Sequence, residues 1–159
     1  MDPSHQIPLL PIEARKVARL LGFSGVIPFL ALLVFSLWDG FAWAHTPLVV
    51  YAMLILAFMA GAHWFALISA QRSSSRPTLE LVATNALVLS AWPAVAMPTA
   101  WACLWLGCLF LGHLALDSPW RSVAGPAWYR HMRLGLSAMV ITSLLLAGLI
   151  GLGLSFNAT

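Results

Sequence analysis

Two histidines of this sequence, His63 and His113, lie inside long apolar stretches. Ionisable side chains are rare and costly within a bilayer, so each is a functional candidate by default. His113 precedes Asp117 by four residues, which puts both side chains on one face of a helix and within reach of a hydrogen bond. An imidazole in such a place is able to exchange a proton or to contact the polar head of a ligand.

Polar side chains on three predicted helices fall in the same half of the membrane. At about 1.5 Å per residue from the ends of their stretches, His63 lies about 12 Å deep, Asn85 about 9 Å and His113 about 6 Å. We therefore predict a ligand-binding site at this end of the protein, and we assign no catalytic residue and no metal ligand. The candidate residues are His63, Trp64, Asn85, His113, Asp117, Trp128, Tyr129, Arg130 and Arg133.

These residues also have a structural interpretation, which the sequence leaves open. A neutral His63 could hydrogen-bond a neighbouring helix, and Asn85 could join two helices in the same way. His113 and Asp117 could form an interfacial pair at a helix end, where water is present. The arginines among the candidates could set the topology and contact lipid phosphates.

The same residues bear on cofactors and metals. His63 and His113 are the only histidine pair on separate apolar stretches, and their predicted heights differ by about 6 Å. A b-type haem is therefore a further alternative, although we expect no cofactor. No compact set of His, Cys and carboxylate residues suits zinc. Cys103 and Cys108 are five residues apart, which puts them on different helix faces and predicts no mutual disulfide.

The composition requires most of this chain to face lipid. Of its 159 residues, 61% are hydrophobic and 8% are charged, and the mean hydropathy is +0.89. Soluble domains carry about 25% charged residues, so this class is excluded. The basic residues that give the net charge of +3 lie in short loops, so we expect no nucleic-acid partner. No hydrophilic stretch is long enough to form a second domain.

The apolar stretches predict an all-α, polytopic integral membrane protein built as a bundle of five transmembrane helices. Residues 1–19 form an N-terminal tail and a basic amphipathic interfacial segment. The predicted spans are residues 20–38, 48–70, 79–96, 99–116 and 133–154. Residues 79–116 are divided because a single helix would be about 57 Å long, far beyond a hydrocarbon core of about 30 Å.

The first span is expected to be retained in the protein. Ala42-Trp43-Ala44 resembles a signal-peptide cleavage site, but the apolar stretch before it covers about 19 residues, against the usual 7–15. Pro28 lies inside this span and predicts a kink or loosened turn.

Small residues indicate where helices approach one another closely. Ala57 with Gly61, and Ala147 with Gly151, have the small-xxx-small spacing of membrane helix interfaces. His63 lies about 200° round the helix from Gly61, so it is predicted to face a different side. The predicted packing residues are Gly22, Gly25, Ala57, Gly61, Ala147 and Gly151.

The basic residues predict the orientation. All eight lie before span one, between spans two and three, or between spans four and five, and therefore on one side of the membrane. The positive-inside rule then puts the N-terminus in the cytoplasm and the C-terminus outside. We expect a multi-pass protein of the bacterial inner membrane.

Several motifs resemble one family. They are the Leu21–Phe29 stretch with its two glycines and Pro28, the Gly61-Ala62-His63-Trp64 run, the Trp92-Pro93 pair, the Leu114–Asp117 end of span four, and Ala127-Trp128-Tyr129-Arg130 with Arg133. Together they are similar to the transmembrane protein 69 family, also called domain of unknown function 3429. The resemblance covers roughly residues 20–146. It implies five spans in bacterial inner membranes or mitochondria, and no established activity.

Two functions fit these features. The small size, minimal loops and small-residue helix faces favour a non-enzymatic accessory or structural component of a membrane assembly, in contact with lipids and with other integral membrane proteins or copies of itself. The alternative is a binding site for a quinone or phospholipid in the cytoplasmic leaflet, with a proton-exchanging His63.

Overall fold

The computed structural model describes residues 11–36, 44–69, 76–117 and 127–157. Within those ranges every regular element is a helix. In chain order the α-helices are α1 (Ile12–Ser24), α2 (Val26–Ser36), α3 (His45–Ile68), α4 (Pro77–Ser90), α5 (Thr99–Leu116) and α6 (Ala127–Asn157), and a short 3-10 helix (Trp92–Ala96) follows α4. Some of the predicted features lie outside the described residues. They are the tail up to residue 10, the span ends at 37–38 and 70, residues 42–43 of the sequence that resembles a cleavage site, and the connector 118–126.

Five helical stretches are long and apolar enough to cross a membrane. They are Ile12–Phe35, which combines α1 with α2, and Thr46–Ile68, Pro77–Ala96, Thr99–Leu116 and Trp128–Gly153. The prediction of an all-α, multi-pass membrane protein with five spanning helices is therefore confirmed.

The first span differs from the prediction in where it begins and where it breaks. Helix starts at Ile12, so the basic amphipathic segment continues directly into the span. The interruption falls at Gly25, three residues before Pro28. Pro28 has no backbone N–H to bond the carbonyl of Ser24, one turn earlier, so the helical ladder opens there. The hydroxyl of Tyr51 on α3 donates a hydrogen bond to the Gly25 carbonyl at 2.8 Å and supports the break.

The hairpin between α4 and α5 is also shaped by a proline. The α-helix ends at Ser90 rather than at residue 96, because Pro93 cannot donate a helical hydrogen bond and disfavours helical geometry at Trp92. The chain continues as the 3-10 helix. Trp105 on α5 donates its indole N–H to the Ser90 carbonyl at 2.7 Å and so satisfies a backbone group at the end of α4.

Two other boundaries move by a few residues. α6 begins at Ala127, six residues before the predicted start at residue 133, because polar residues at a membrane boundary continue a helix as well as apolar ones do. α3 is shifted towards the N-terminus, from residues 48–70 to His45–Ile68. α5 occupies the predicted residues 99–116.

The interior is a single apolar cluster drawn from α2, α3, α5 and α6, with Ala91 and Ala94 added from the region of the 3-10 helix. Its fully buried side chains include Phe29, Leu56, Leu106, Phe110 and Leu144. α5 and α6 form the most extensive interface between helices. Cys103 is buried in this interior, whereas Cys108 is exposed, so the two thiols face apart as predicted.

Only part of the predicted small-residue packing is present within the bundle. A Cβ added at Gly151 would meet the Ala100 Cβ at 3.0 Å, and one added at Gly22 would meet the Met132 sulfur at 3.3 Å. Ala147 is buried, and at Gly25 an added Cβ would make only ordinary contacts.

Ala57 and Gly61 instead lie on the exposed side of α3, where an added Cβ at Gly61 meets nothing within 4 Å. The described residues of this chain place no helix against this pair at Gly61, so its predicted contact with a neighbouring helix stays a prediction. The pair faces outward because the side of α3 that carries His63 is the one turned inward.

Among the described glycines, the tightest surroundings are at Gly148, which was not among the predicted packing residues. A Cβ there would lie 2.5 Å from Leu104 Cγ and 2.9 Å from the backbone oxygen of Ala100. Backbone atoms cannot move aside as a flexible side chain does, so only glycine lets α6 lie this close to α5.

Gly148→Ala is expected to destabilise the protein by about 1–3 kcal/mol, because it overpacks the α5–α6 interface. Gly153→Ala is the matched control on the same helix, since an added Cβ there meets nothing within 4 Å. It should be neutral or slightly stabilising, because Ala favours helix over Gly. Thermal unfolding midpoints in one detergent would measure both, and equal midpoints for the two variants would refute the close approach.

Candidate functional site

Four helix ends meet at one end of the bundle. Consecutive spans run in opposite directions, so the C-terminal ends of α3 and α5 lie beside the N-terminal ends of α4 and α6. His63 stands in the last two turns of α3, and Glu80 stands in the first turn of α4. His113 and Asp117 close α5, and Arg133 stands near the start of α6. These five residues are called the His63 cluster.

His63 lies at the centre of the cluster and is 1% exposed. Its Nδ1 lies 3.2 Å from Asp117 Oδ1, at hydrogen-bonding distance. Its Nε2 lies 3.5 Å from Glu80 Oε2, which is long for a hydrogen bond but within the range of an ion pair. The imidazole of α3 is therefore held between a carboxylate of α4 and a carboxylate of α5.

Asp117 is shared between His63 and Arg133. Its second oxygen, Oδ2, lies 2.7 Å from Arg133 Nη2, the short distance of a charge-assisted hydrogen bond. Nη1 of the same guanidinium donates to the hydroxyl of Tyr129 at 3.3 Å, and Nη2 lies 3.5 Å from the carbonyl oxygen of Met59. Asp117 thereby links α3, α5 and α6.

The charge of Arg133 also sets the protonation of Asp117. Burial by itself would raise the pKa of this carboxyl, but the hydrogen bond with His63 and the nearby guanidinium outweigh burial and hold the pKa below its ordinary value. Asp117 is therefore ionised. An ionised carboxylate only accepts hydrogen bonds, so His63 carries a hydrogen on Nδ1.

One ring nitrogen of His63 therefore faces each carboxylate. An imidazole flanked by acidic groups in this way is able to exchange a proton.

His113 is as deeply buried as His63, at 1% exposure, and its ring centroid lies 5.9 Å from that of His63 in an edge-on arrangement. The His113 ring hydrogen-bonds the carbonyl of Met59, the same group that faces Arg133. Nε2 of His113 is buried and has no hydrogen-bond partner among the described residues, and the same is true of Nε of Arg133.

The structure brings together some of the predicted site residues. His63, His113, Asp117 and Arg133 lie in the cluster, and Tyr129 contacts it through Arg133. Trp64 is half-buried beside it and donates its indole N–H to the carbonyl of Leu81 at 3.4 Å.

Three predicted residues lie apart. Asn85 is exposed, because the face of α4 that turns inward is the one that buries Thr84, its neighbour in sequence. Trp128 instead lies beneath the guanidinium of Arg19 on α1, whose carbon is 5.4 Å from the ring centroid. Arg130 is half-buried on α6, beyond the face that carries Tyr129 and Arg133.

Glu80 is the cluster residue that the predicted set lacked. It is an acid in the first turn of a helix, where an acidic residue is ordinary because it favours the positive end of the helix dipole. Its neighbours Leu79, Leu81 and Val82 are apolar, however, so this acid occurs at the edge of a membrane span. That position is the signal from which its role could have been inferred.

The geometry does not suit a haem held by the two histidines. Both ring nitrogens of His63 face carboxylates, at 3.2 and 3.5 Å, so neither is directed at an iron position between the rings. Within the described ranges, no group of three or more His, Cys, Asp or Glu side chains is arranged to hold a metal ion.

The fold and the cluster define a class, namely polytopic α-helical membrane proteins with an ionic network at one end of the bundle. The chain belongs to the family described as protein of unknown function (DUF3429), whose model matches residues 14–149. This match confirms the domain of unknown function 3429, while the name transmembrane protein 69 stays a prediction. No curated protein and no solved structure matches the chain.

Asp117→Asn is expected to lower stability by about 3–5 kcal/mol, because it leaves Arg133 buried without its counter-ion. Glu13→Gln is the matched control, since Glu13 pairs with Lys16 at 3.0 Å on an exposed surface, where ion pairs contribute little. Thermal unfolding of both variants in one detergent would measure the difference.

The contribution of Asp117 to the free energy of unfolding depends on pH in a definite direction. The pKa of Asp117 is lowered in the folded protein, so this contribution is complete above the ordinary aspartate pKa of ~4. It is lost as the pH falls through the pKa of Asp117 in the folded protein. The difference in unfolding free energy between wild type and Asp117→Asn should therefore be constant at neutral pH and shrink in strong acid. A difference that instead grew on acidification would contradict this assignment.

Proposed function

We propose that this protein is an accessory or structural component of a membrane protein assembly. The observation that supports the proposal is the exposed face of α3 around Ala57 and Gly61. Small residues let helices approach closely, and no atom of the described residues would lie within 4 Å of a Cβ added at Gly61. Large apolar side chains flank the pair on the same face, with Leu54 61% exposed and Phe58 76% exposed. A partner helix would pack against the small residues, between these larger side chains.

The cluster supports this function from inside the bundle. The ionic contacts among α3, α4, α5 and α6 fix the rotation of α3, since His63 must point inward. With His63 inward, Ala57 and Gly61 are turned outward towards a partner. In this proposal the His63 cluster fixes which face of α3 is turned towards the membrane, namely the face that carries Ala57 and Gly61.

We place the protein in the bacterial cytoplasmic membrane with its N-terminus in the cytoplasm. The support is the distribution of the basic residues, which lie in α1, at the start of α6 and in the chain segments that join α3 to α4 and α5 to α6. These parts of the chain all connect to the end of the bundle that holds the His63 cluster. The cluster then lies in the cytoplasmic leaflet. Reporter domains fused to the two termini should lie on opposite sides, and an external N-terminal reporter would reject this orientation.

Gly61→Leu is the variant that tests the assembly. A leucine there would fill the close approach, so native mass spectrometry of protein taken from its own membrane should show the wild type with a partner subunit or a second copy, and Gly61→Leu without it. Gly153→Leu is the control, because Gly153 is equally open but lies on α6. A wild-type protein that is released only as a monomer would contradict the proposed function.

A second candidate function is the binding of a lipid-soluble molecule, a quinone or a phospholipid, with its head at the His63 cluster. The observation that favours it is Nε2 of His113, which is buried near charged groups and has no hydrogen-bond partner in the part of the chain that the structure describes. A buried polar atom without a partner costs about 1–3 kcal/mol, which a bound head group would recover. His63 would exchange its proton with such a ligand.

A further inference from the structure

We propose that α4 pairs with α4 of a second copy of this chain, and that the amide of Asn85 is the group that joins the two copies. The inference goes beyond the proposed assembly function, which rests on α3 and leaves the partner open. It assigns a helix, a side chain and a partner.

Asn85 carries a polar side chain deep within a membrane span. It is exposed, and it lies eight residues after Pro77 in the 20-residue span Pro77–Ala96. At 1.5 Å per residue it is about 12 Å from the start of the span, close to the middle of a hydrocarbon core of about 30 Å. Lipid chains offer an amide no hydrogen bond at this depth.

The amide of Asn85 is not satisfied by its own helix. Thr84 Oγ1 donates to the Glu80 carbonyl and Ser90 Oγ donates to the Ala86 carbonyl, each at 2.7 Å. Asn85 makes no hydrogen bond to any of the residues that the structure describes. A side-chain amide has both N–H donors and an oxygen acceptor, so a group outside this chain has to supply the partners for both.

The residues around Asn85 form one exposed face of α4. Val82, Asn85, Ala86 and Leu89 are all exposed, while α3 and α5 pack against other sides of the helix. The steps of three and four residues between them are the spacing of a helix seam that pairs with another helix. Ala86 is small, which lets a second helix come close to the amide.

A second copy of the chain supplies the matching group at the same depth. Copies in one membrane share one orientation, so a two-fold axis along the membrane normal sets their α4 helices parallel and opposes each residue to its own counterpart. Asn85 then meets Asn85 of the partner subunit, and each amide donates to the oxygen of the other. A different membrane protein would need a polar side chain placed by coincidence at this height.

Energy transfer between donor-labelled and acceptor-labelled full-length protein in phosphatidylcholine vesicles, at several protein-to-lipid ratios, tests the pairing. Asn85→Leu removes the amide at similar size, and its dissociation constant is expected to rise about tenfold. Asn85→Gln is the matched control, since it keeps an amide and should associate nearly as wild type does. Because Asn85 is exposed, neither variant should lower the unfolding temperature in detergent.

Two results of this measurement would overturn the inference. One is a dissociation constant for Asn85→Leu equal to that of wild type. The other is a wild type that stays monomeric at every protein-to-lipid ratio, which would leave the α3 face free for a different protein.

Disulfide crosslinking in the membrane locates the contact. Val82→Cys keeps Asn85 in place, and the background is Cys108→Ser because Cys108 is an exposed native thiol. Oxidation should join two copies through residue 82, whereas Phe58→Cys, on the exposed side of α3, should give little crosslinking. Crosslinking through residue 58 and none through residue 82 would overturn the α4 contact while it supports the α3 face of the proposed function.

Discussion

The contact on which this structure depends is the ion pair between Asp117 and Arg133. A charge at membrane depth is tolerated only when another group neutralises it and hydrogen bonds satisfy its remaining atoms. Here the pair is 2.7 Å long, and Asp117 also bonds His63, while Arg133 also bonds Tyr129. One carboxylate thereby determines how three helices are rotated about their own axes.

The apolar part of the bundle is compatible with that rotation and does not impose it. Lipid is as apolar as the helix interior, so hydrophobic burial discriminates poorly between two faces of a membrane helix. Close packing at Gly148 sets the separation of α5 and α6, and Pro28 and Pro93 set where the first span bends and where the α4 helix ends. The polar contacts decide which face of each helix is turned inward.

This division of roles explains how much could be predicted from the sequence. Helix number and class follow from apolar length, so five spans were predictable, and α5 was placed to the residue. His63, His113, Asp117 and Arg133 were predictable as candidates, because ionisable residues at membrane depth are rare.

Rotation was not predictable from spacing. Asn85 has the right depth but faces outward, while Thr84 takes the buried position beside it. Glu80 was missed because an acid in a first helical turn is ordinary, and the start of α6 was misplaced because its first turns are polar. For Asn85 and Glu80 the deciding factor is the way α4 packs against other helices, which a local pattern does not contain.

The central claim is that Asp117 and Arg133 stabilise the bundle through each other, and a double-mutant cycle measures this most directly. The unfolding free energies of wild type, Asp117→Asn, Arg133→Gln and the double variant would be compared in one detergent. The account predicts strong coupling of about 2–3 kcal/mol, with the double variant less damaged than the two single losses added together. Additive losses, with a coupling energy near zero, would contradict it.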